Sequence, residues 1–315
     1  MSVTISVLGS INSDIVARAS RLPHVGETVD GLGTDMYLGG KGTNQAVQAQ
    51  LLGARTYFIG CVGADAQGES VRENLKGQGV DDTFLYTLPN RRTGCCVIYV
   101  DTTNGDNMLV YDAGANKAIT REIVDSAKER IKDSSVFITQ NEINADMVAY
   151  GLSAAKSLGV TTILNPAPAV PLPEDVFTLA DYITPNETES EAYTGILRAD
   201  LPLTQWARAN AEWFLKKGVK NVCITLGDKG AYYYDGAREV MKKAFRIRAA
   251  DTTAAGDAFN GGLAYGAANG WDIEKSMLLG SACGAMAAMT VGAQNSLRPM
   301  DDILHYLKTE GHTLA

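Results

Sequence analysis

"TISVLGSI", residues 4–11, begins with an apolar, β-branched run that breaks at Gly9, and it reads as a buried first strand. Runs of the same kind return at 56–63 ("TYFIGCVG"), 135–139 ("SVFIT"), 160–166 ("VTTILNP") and 221–227 ("NVCITLG"). Helix-period segments separate most of them: "NQAVQAQLLG" at 44–53, "REIVDSAKERIKDS" at 121–134, "ADMVAYGLSAAKSLG" at 145–159 and "TQWARANAEWFLKKG" at 204–218. The last closes on two lysines and Gly218, residue types that suit a helix C-terminus. Strands alternating with helices predict an α/β fold of three layers, a mainly parallel central sheet covered by helices on both faces.

Two segments break that alternation. Residues 94–112, "GCCVIYVDTTNGDNMLVYD", predict a hairpin turning at "NGD", and residues 25–38 contain a second extended stretch with no helix. Both are expected outside the main sheet, as a small lid of strands to which about 15–39 and 93–113 contribute. No Pro/Ser-rich linker, internal repeat or low-complexity tract divides the chain, so 1–315 is expected to be one domain.

With 36 Asp and Glu against 28 Lys and Arg, the chain is acidic and shows no basic run or aromatic-basic stripe, which argues against nucleic acid as a partner. Five cysteines without CxxC or CxxH spacing make neither a disulfide framework nor a zinc site, and a reducing cytoplasm suits them best. The adjacent Cys95 and Cys96 are expected to be small core residues. His24, His305 and His312 are scattered. "MSVTISVLGS" lacks the basic start and long apolar centre of a signal peptide. The uncharged stretch from Ser276 to Leu297 is rich in Gly, Ala, Ser and Thr, which predicts burial against a sheet and no membrane span.

Two nucleotide motifs fail. "LGGKGTNQA" is not a P-loop, because Asp35 and Gly42 occupy the places of the first glycine and the final Ser or Thr. It is not a dinucleotide fingerprint either, since Gln45 stands where the third glycine belongs.

"DTTAAGDAFNGG", residues 251–262, offers more. Ala254-Ala255-Gly256-Asp257 is placed to open a helix, where free N–H groups and the helix dipole attract an anion and small side chains let a phosphate approach. Asp257 is either a plain N-terminal acid or a base that takes a proton from a hydroxyl while neighbouring amides stabilise a transferring phosphoryl group. "GSINSD" is expected to end the first strand and offers Asn12 and Asp14, two short polar groups suited to a diol. "GGKGTN" offers Lys41 and Asn44 among glycines that permit close approach. Together they put polyol-binding groups near the strand ends where open α/β sheets take ligands. In "TPNETE", 184–189, the carboxylates serve either a solvated helix start or a magnesium ion held through water.

"GSINSD", "GGKGTNQA", "NPAPA", "TPNETE", "TLGDKG" and "DTTAAGDAFNGG" occur in the order of the ribokinase-like sugar kinases, the phosphofructokinase-B family, and the resemblance covers nearly the whole chain, to "GAQNS". It implies a three-layer kinase that phosphorylates the terminal CH₂OH of a pentose, D-ribose first, with ketohexose, deoxyribose and nucleoside kinases as alternatives within the family. A catalytically silent sugar-binding regulator is the alternative of another class, and the presence of Asp257 argues against it.

By the same resemblance, Asp257 is the general base, and the amides of Ala255, Gly256 and Asp257 form the anion hole. Asn12, Asp14, Gly40, Lys41, Asn44 and Glu142 hold the sugar. ATP lies along Asn186, the turn Thr225, Leu226, Gly227, Asp228, Lys229 and Gly230, and Ser281, while Glu189 orders the Mg²⁺ shell. A K⁺ loop maps onto Asp251, Thr253, Ala287, Thr290, Gly292 and Ser296, several acting through backbone oxygens. The lid is expected to pair with a second subunit's lid in a homodimer. Three positions depart from the family pattern. Ala254 adds a methyl where many relatives have glycine, Thr43 replaces an alanine, and Thr290 stands where relatives often carry a basic residue.

Overall fold

The computed structural model describes residues 3–173 and 175–314. In chain order the strands are β1 (Thr4–Leu8), β2 (Asn12–Ala19), β3 (Gly31–Gly39), β4 (Arg55–Gly63), β5 (Asp81–Leu88), β6 (Cys95–Asp101), β7 (Asn107–Asp112), β8 (Val136–Gln140), β9 (Thr161–Asn165), β10 (Tyr182–Ile183), β11 (Asn221–Thr225), β12 (Ala231–Tyr234) and β13 (Glu239–Lys242). The helices are α1 (Lys41–Leu51), α2 (Ala66–Gly77), α3 (Arg121–Ser126), α4 (Lys128–Lys132), α5 (Ala145–Ser157), α6 (Val176–Leu179), α7 (Glu187–Thr194), α8 (Leu203–Lys216), α9 (Ala255–Ala268), α10 (Ile273–Ala288) and α11 (Met300–Thr309).

Nine strands form the main sheet in the order β13-β12-β11-β10-β9-β8-β1-β4-β5. All neighbours from β11 to β5 are parallel, and β12 and β13 add an antiparallel edge. Side chains alternate across a strand, so β1 feeds both layers. Ile5 and Val7 belong to one apolar layer with Val47 of α1, Ala258 of α9 and Leu279 of α10, whereas Leu8 belongs to the other, with Leu152 of α5 and Trp206 and Phe214 of α8. The strands β3-β2-β6-β7 make a separate four-stranded sheet, the lid, entered directly from β1.

Four expectations need correcting. The predicted helix at 121–134 is two helices, because Ser126 Oγ donates to Ile123 O (2.7 Å) and Ala127 N–H closes on Val124 O (3.1 Å), which tightens and ends the first. "GSINSD" does not end the first strand, since β1 stops at Leu8 and Asn12 already belongs to the lid. Cys95 and Cys96 are half-buried on β6, not in a core, because no second layer covers the lid; Cys61, Cys223 and Cys283 are the buried ones. The stretch from Ser276 does pack inside, but mainly against another helix. Gly262 and Gly280 bring α9 and α10 so close that a Cβ on Gly262 would lie 2.8 Å from the Gly280 Cα. No helix among the described residues is long and apolar enough to cross a membrane.

Candidate active site

The site starts where α1 meets the turn after β1. Gly40 precedes α1 with φ +93°, and a Cβ there would lie 2.8 Å from Asn12 N, so both conformation and space demand glycine. Gly42 is equally confined, its Cβ position being 2.6 Å from Ser10 N. This contact sets the α1 side chains against the first residues of the lid. Glu142, just past β8, ties the two together by accepting Ser10 Oγ–H at 2.5 Å and the Lys41 backbone N–H at 3.1 Å.

The other wall is the N-terminus of α9. Ala254 is the one non-glycine with positive φ among the described residues, at φ +61°. An L-residue in that region costs roughly 1–2 kcal/mol, and the bend brings Gly256 and Asp257 to the cavity. The Ala255 N–H is turned back on Thr252 O at 3.2 Å, and Ala255 does not line the cavity, so of the three expected anion-hole residues Gly256 and Asp257 are the ones at its wall.

Asp257 is 7 % exposed. Its Oδ2 accepts Asn44 Nδ2–H (2.8 Å) and its Oδ1 accepts Gln45 Nε2–H (3.0 Å). Burial lifts its carboxyl above the ordinary range, opposed by the Lys41 charge and these two bonds. Gln45 continues a ring: its Nε2 also reaches Asn165 Oδ1 (3.0 Å), Asn165 donates to Thr184 O (2.9 Å), Thr184 Oγ1 donates to Asn260 Oδ1 (2.6 Å), and Asn260 donates to Gly256 O (2.9 Å). Gln140 donates to Gln45 Oε1 at 2.6 Å and fixes its amide. Sequence reasoning missed Gln45, Gln140, Asn165, Thr184 and Asn260 as site residues. Four of them, Gln45, Asn165, Thr184 and Asn260, lay inside motifs it quoted.

Burial works against the Lys41 ammonium, and the carboxylates of Asp257, Glu142 and Glu189 outweigh it and raise its pKa. Burial pushes Asp14 up to about 6, against the Cys96 N–H that its Oδ1 accepts at 3.2 Å and with help from the Glu142 charge. Asn12, 5 % exposed, accepts Asn116 Nδ2–H on its Oδ1 at 3.0 Å.

Asn12, Asp14, Gly40, Lys41, Asn44 and Glu142 share one cavity of about 340 Å³ with Gly256, Asp257, Asn186, Glu189 and Thr225. Asn186 caps α7, accepting the Glu189 N–H while Glu189 Oε2 accepts the Asn186 N–H, both at 2.8 Å. Burial raises the Glu189 pKa, offset partly by that bond and by Lys41. Leu226 is wholly buried, and its N–H is bonded to Gly230 O at 2.8 Å. Gly227, Asp228, Lys229 and Gly230 form a tight turn after Thr225, and Ser281 lies on α10; none of these lines the cavity.

Of the residues expected to form the cation loop, Asp251, Thr253 and Gly292 are brought together. Asp251 accepts Thr253 N–H (2.9 Å), Thr253 Oγ1–H (2.7 Å) and Gly292 N–H (2.9 Å). Burial acts to raise its pKa, and these bonds prevail and lower it. Ala287 O accepts the Thr290 N–H at 3.0 Å, and Ser296 Oγ donates to Ala293 O at 2.6 Å within its own turn. A basic group does reach Thr290, from Arg298, whose Nη2 donates to Thr290 Oγ1 at 2.8 Å. No ion pair to Asp251 is found among the described residues, so this half-buried carboxylate keeps its charge without a cationic side chain beside it. Among the described residues no cluster of three or more His, Cys, Asp or Glu could by itself hold a metal ion. Glu189, with one oxygen outside its cap and its side chain on the cavity wall, fits a water-mediated role beside phosphate-bound Mg²⁺.

Residues 3–300 match the pfkB family carbohydrate kinases. A ribokinase from Haemophilus influenzae is 36% identical over 308 residues, covering 98% of this chain and 99% of its own. A deoxyribokinase from Salmonella typhi is 32% identical over 306 residues, covering 96% and 98%. The structure of Arabidopsis thaliana ribokinase complexed with ribose and ATP superposes with a TM-score of 0.92 at 30% identity, covering 98% of this chain and 99% of that one.

Proposed function

This chain belongs to the pfkB family of carbohydrate kinases, and from that premise we propose that it transfers the γ-phosphoryl group of ATP to the terminal CH₂OH of D-ribose, giving D-ribose 5-phosphate and ADP. The observation that carries this is Asp257, a buried acid at a helix N-terminus that shares its cavity with Asn12, Asp14 and Glu142. Asp257 takes the proton of the CH₂OH group as its oxygen bonds to the γ-phosphorus, and the bond from that phosphorus to the bridging oxygen breaks to release ADP. The Gly256 and Asp257 amides face the charge that builds on the transferring group. Lys41 holds the sugar oxygens and balances the surrounding carboxylates, while Asn186 and Thr225 serve the nucleotide side. Glu189 would hold, through water, the Mg²⁺ that accompanies ATP, an ion that would offset the phosphate charge. The loop of Asp251, Thr253, Ala287, Thr290, Gly292 and Ser296 would hold K⁺ and keep the N-terminus of α9 in place.

The polar lining favours a small free sugar over a nucleoside, whose base needs an apolar wall. Asn12 favours ribose over 2-deoxyribose, since a buried amide left without its hydroxyl partner is penalised. The lid adds a homodimer to this reading. Met36, Tyr99, Met108 and Val110 are 58%, 42%, 45% and 68% exposed and lie on the face away from Asp14, an apolar surface suited to a second copy. The five cysteines are all free, in keeping with a reducing cytoplasm. A panel of D-ribose, 2-deoxyribose, D-fructose and adenosine assayed for ADP release tests the assignment. D-ribose should give the highest kcat/KM, and a hexose or nucleoside outrunning it would overturn the reading.

A further inference from the structure

Asn44 and Gln45, consecutive residues of α1, hold the two oxygens of one carboxylate. Asn44 Nδ2 donates to Asp257 Oδ2 at 2.8 Å, and Gln45 Nε2 donates to Asp257 Oδ1 at 3.0 Å. Gly261 lets α9 come this close to α1, since a Cβ there would lie 2.7 Å from the Gln48 Cβ. The two amides differ in what else they can reach. Asn44 lines the cavity, whereas Gln45 does not and is 1% exposed, so it meets Asp257 from behind, out of reach of a substrate.

Gln45 can face Asp257 only with its NH₂. The bonds that fix it start at the Thr184 backbone carbonyl, which can only accept. Asn165 must therefore give that carbonyl its Nδ2–H, at 2.9 Å, and turn its Oδ1 toward Gln45, whose Nε2 donates to it at 3.0 Å. On its other side Gln45 Oε1 accepts Gln140 Nε2–H at 2.6 Å. Reversed, the Gln45 amide would set its oxygen against Asn165 Oδ1 and the Asp257 carboxylate, and its NH₂ against that of Gln140. A donor held this way favours the ionised carboxylate over the protonated one. Burial raises the Asp257 pKa, Lys41, Asn44 and Gln45 work against that rise, and Glu142 adds to it. Lys41 on α1, Glu142 after β8 and Glu189 on α7 are the charged groups that act on Asp257, and replacing Gln45 leaves each of them in place.

We propose that Gln45 is a positioning residue for the base of phosphoryl transfer: from outside the cavity it fixes the direction of the Asp257 carboxylate and keeps it charged until the sugar hydroxyl gives up its proton. The proposal rests on the reading of Asp257 as the general base and adds the group that readies it.

Two variants test it. Gln45→Met keeps the length of the side chain and removes both donated bonds, while Gln45→Glu keeps the shape and puts an oxygen where the NH₂ was. The rate of the chemical step, read by rapid quench at saturating D-ribose and ATP from pH 5 to 9, reports the base, because protonation of Asp14 falls on KM. In Gln45→Met that rate at pH 7 should drop about tenfold, and the acid limb of the profile should move up by about one pH unit, the equivalent of one hydrogen bond to a charged group. In Gln45→Glu the limb should move up further, since two facing carboxyls must share a proton. Calorimetric titration of D-ribose without ATP supplies a readout independent of turnover, and both variants should bind within about twofold of wild type, because Gln45 does not line the cavity. Variants that keep the wild-type rate and limb overturn the proposal, and so do variants that lose rate and sugar affinity together with the limb unmoved, the mark of a purely structural residue. Near-normal turnover in Asp257→Asn would fail the base itself, whereas a deficient Asp257→Asn beside unmoved limbs in the Gln45 variants would fail this proposal alone. If another sugar wins the panel, the same profiles are measured on that sugar.

Discussion

Asp257 is a buried acid and Asp14 a half-buried one, and each has a distinct signature in kinetics. Removing the charge of Asp257 while keeping its shape, as Asp257→Asn, should lower kcat by about 10²- to 10⁴-fold, the usual range for loss of a general base, and leave sugar affinity close to normal. Near-normal turnover would remove it from the mechanism. Asp14, pushed up to about 6, must be ionised to accept hydroxyl donors at full strength. A raised pKa means the proton returns as pH falls through 6, so the KM for sugar should climb by up to about tenfold per unit below that pH. Asp14→Asn should bind sugar more weakly and lose that limb. A wild-type KM that stays flat from pH 7 to 5 would contradict the role given to its carboxylate.

At the level of elements, α9, the helix that carries Asp257, is positioned by what it lacks. Gly262 and Gly280 let α9 and α10 touch backbone to backbone, and a Cβ on Gly280 would lie 2.8 Å from Phe259 O. Gly280→Val should therefore cost about 1–3 kcal/mol of stability, read as a lower urea midpoint, and should depress kcat as α9 shifts. A variant as stable and active as wild type would show that the contact is slack. The same elements explain what could be read in advance. The parallel strands announce themselves because both faces are buried and their apolar runs are continuous. β10, with two residues, and the short antiparallel pair β12 and β13 carry too little pattern. Asp257, Asn12 and Lys41 sit in dense small-residue motifs that mark close approach. Gln140 lies outside them, and Gln45, although inside "GGKGTNQA", has no more signature than any polar side chain of a helix; their partners lie 95 to 212 positions away. Cys96 was misplaced for a related reason, since nothing in an apolar strand says whether a second layer will cover it.

For the whole molecule, the lid is both the cover of the sugar site and, on its opposite face, the proposed subunit contact. Val110→Glu puts a charge in the middle of that face, and sedimentation should report a monomer where the wild type is a dimer. A wild type that sediments as a monomer at micromolar concentration would remove the dimer from the reading. The ring from Asp257 through Gln45, Asn165, Thr184 and Asn260 to Gly256 runs through groups from α1, β9, the chain after β10, and α9. Apart from Asp257, its members are amides, a hydroxyl and backbone carbonyls, which do not titrate near neutrality. The proposed base, Asp257, is therefore ordered when the chain folds and need not be ordered again at each turnover. What every catalytic cycle must immobilise is the sugar and the lid above it, so entropy lost on binding should fall on that side of the cavity, and the activation entropy of the chemical step should stay small.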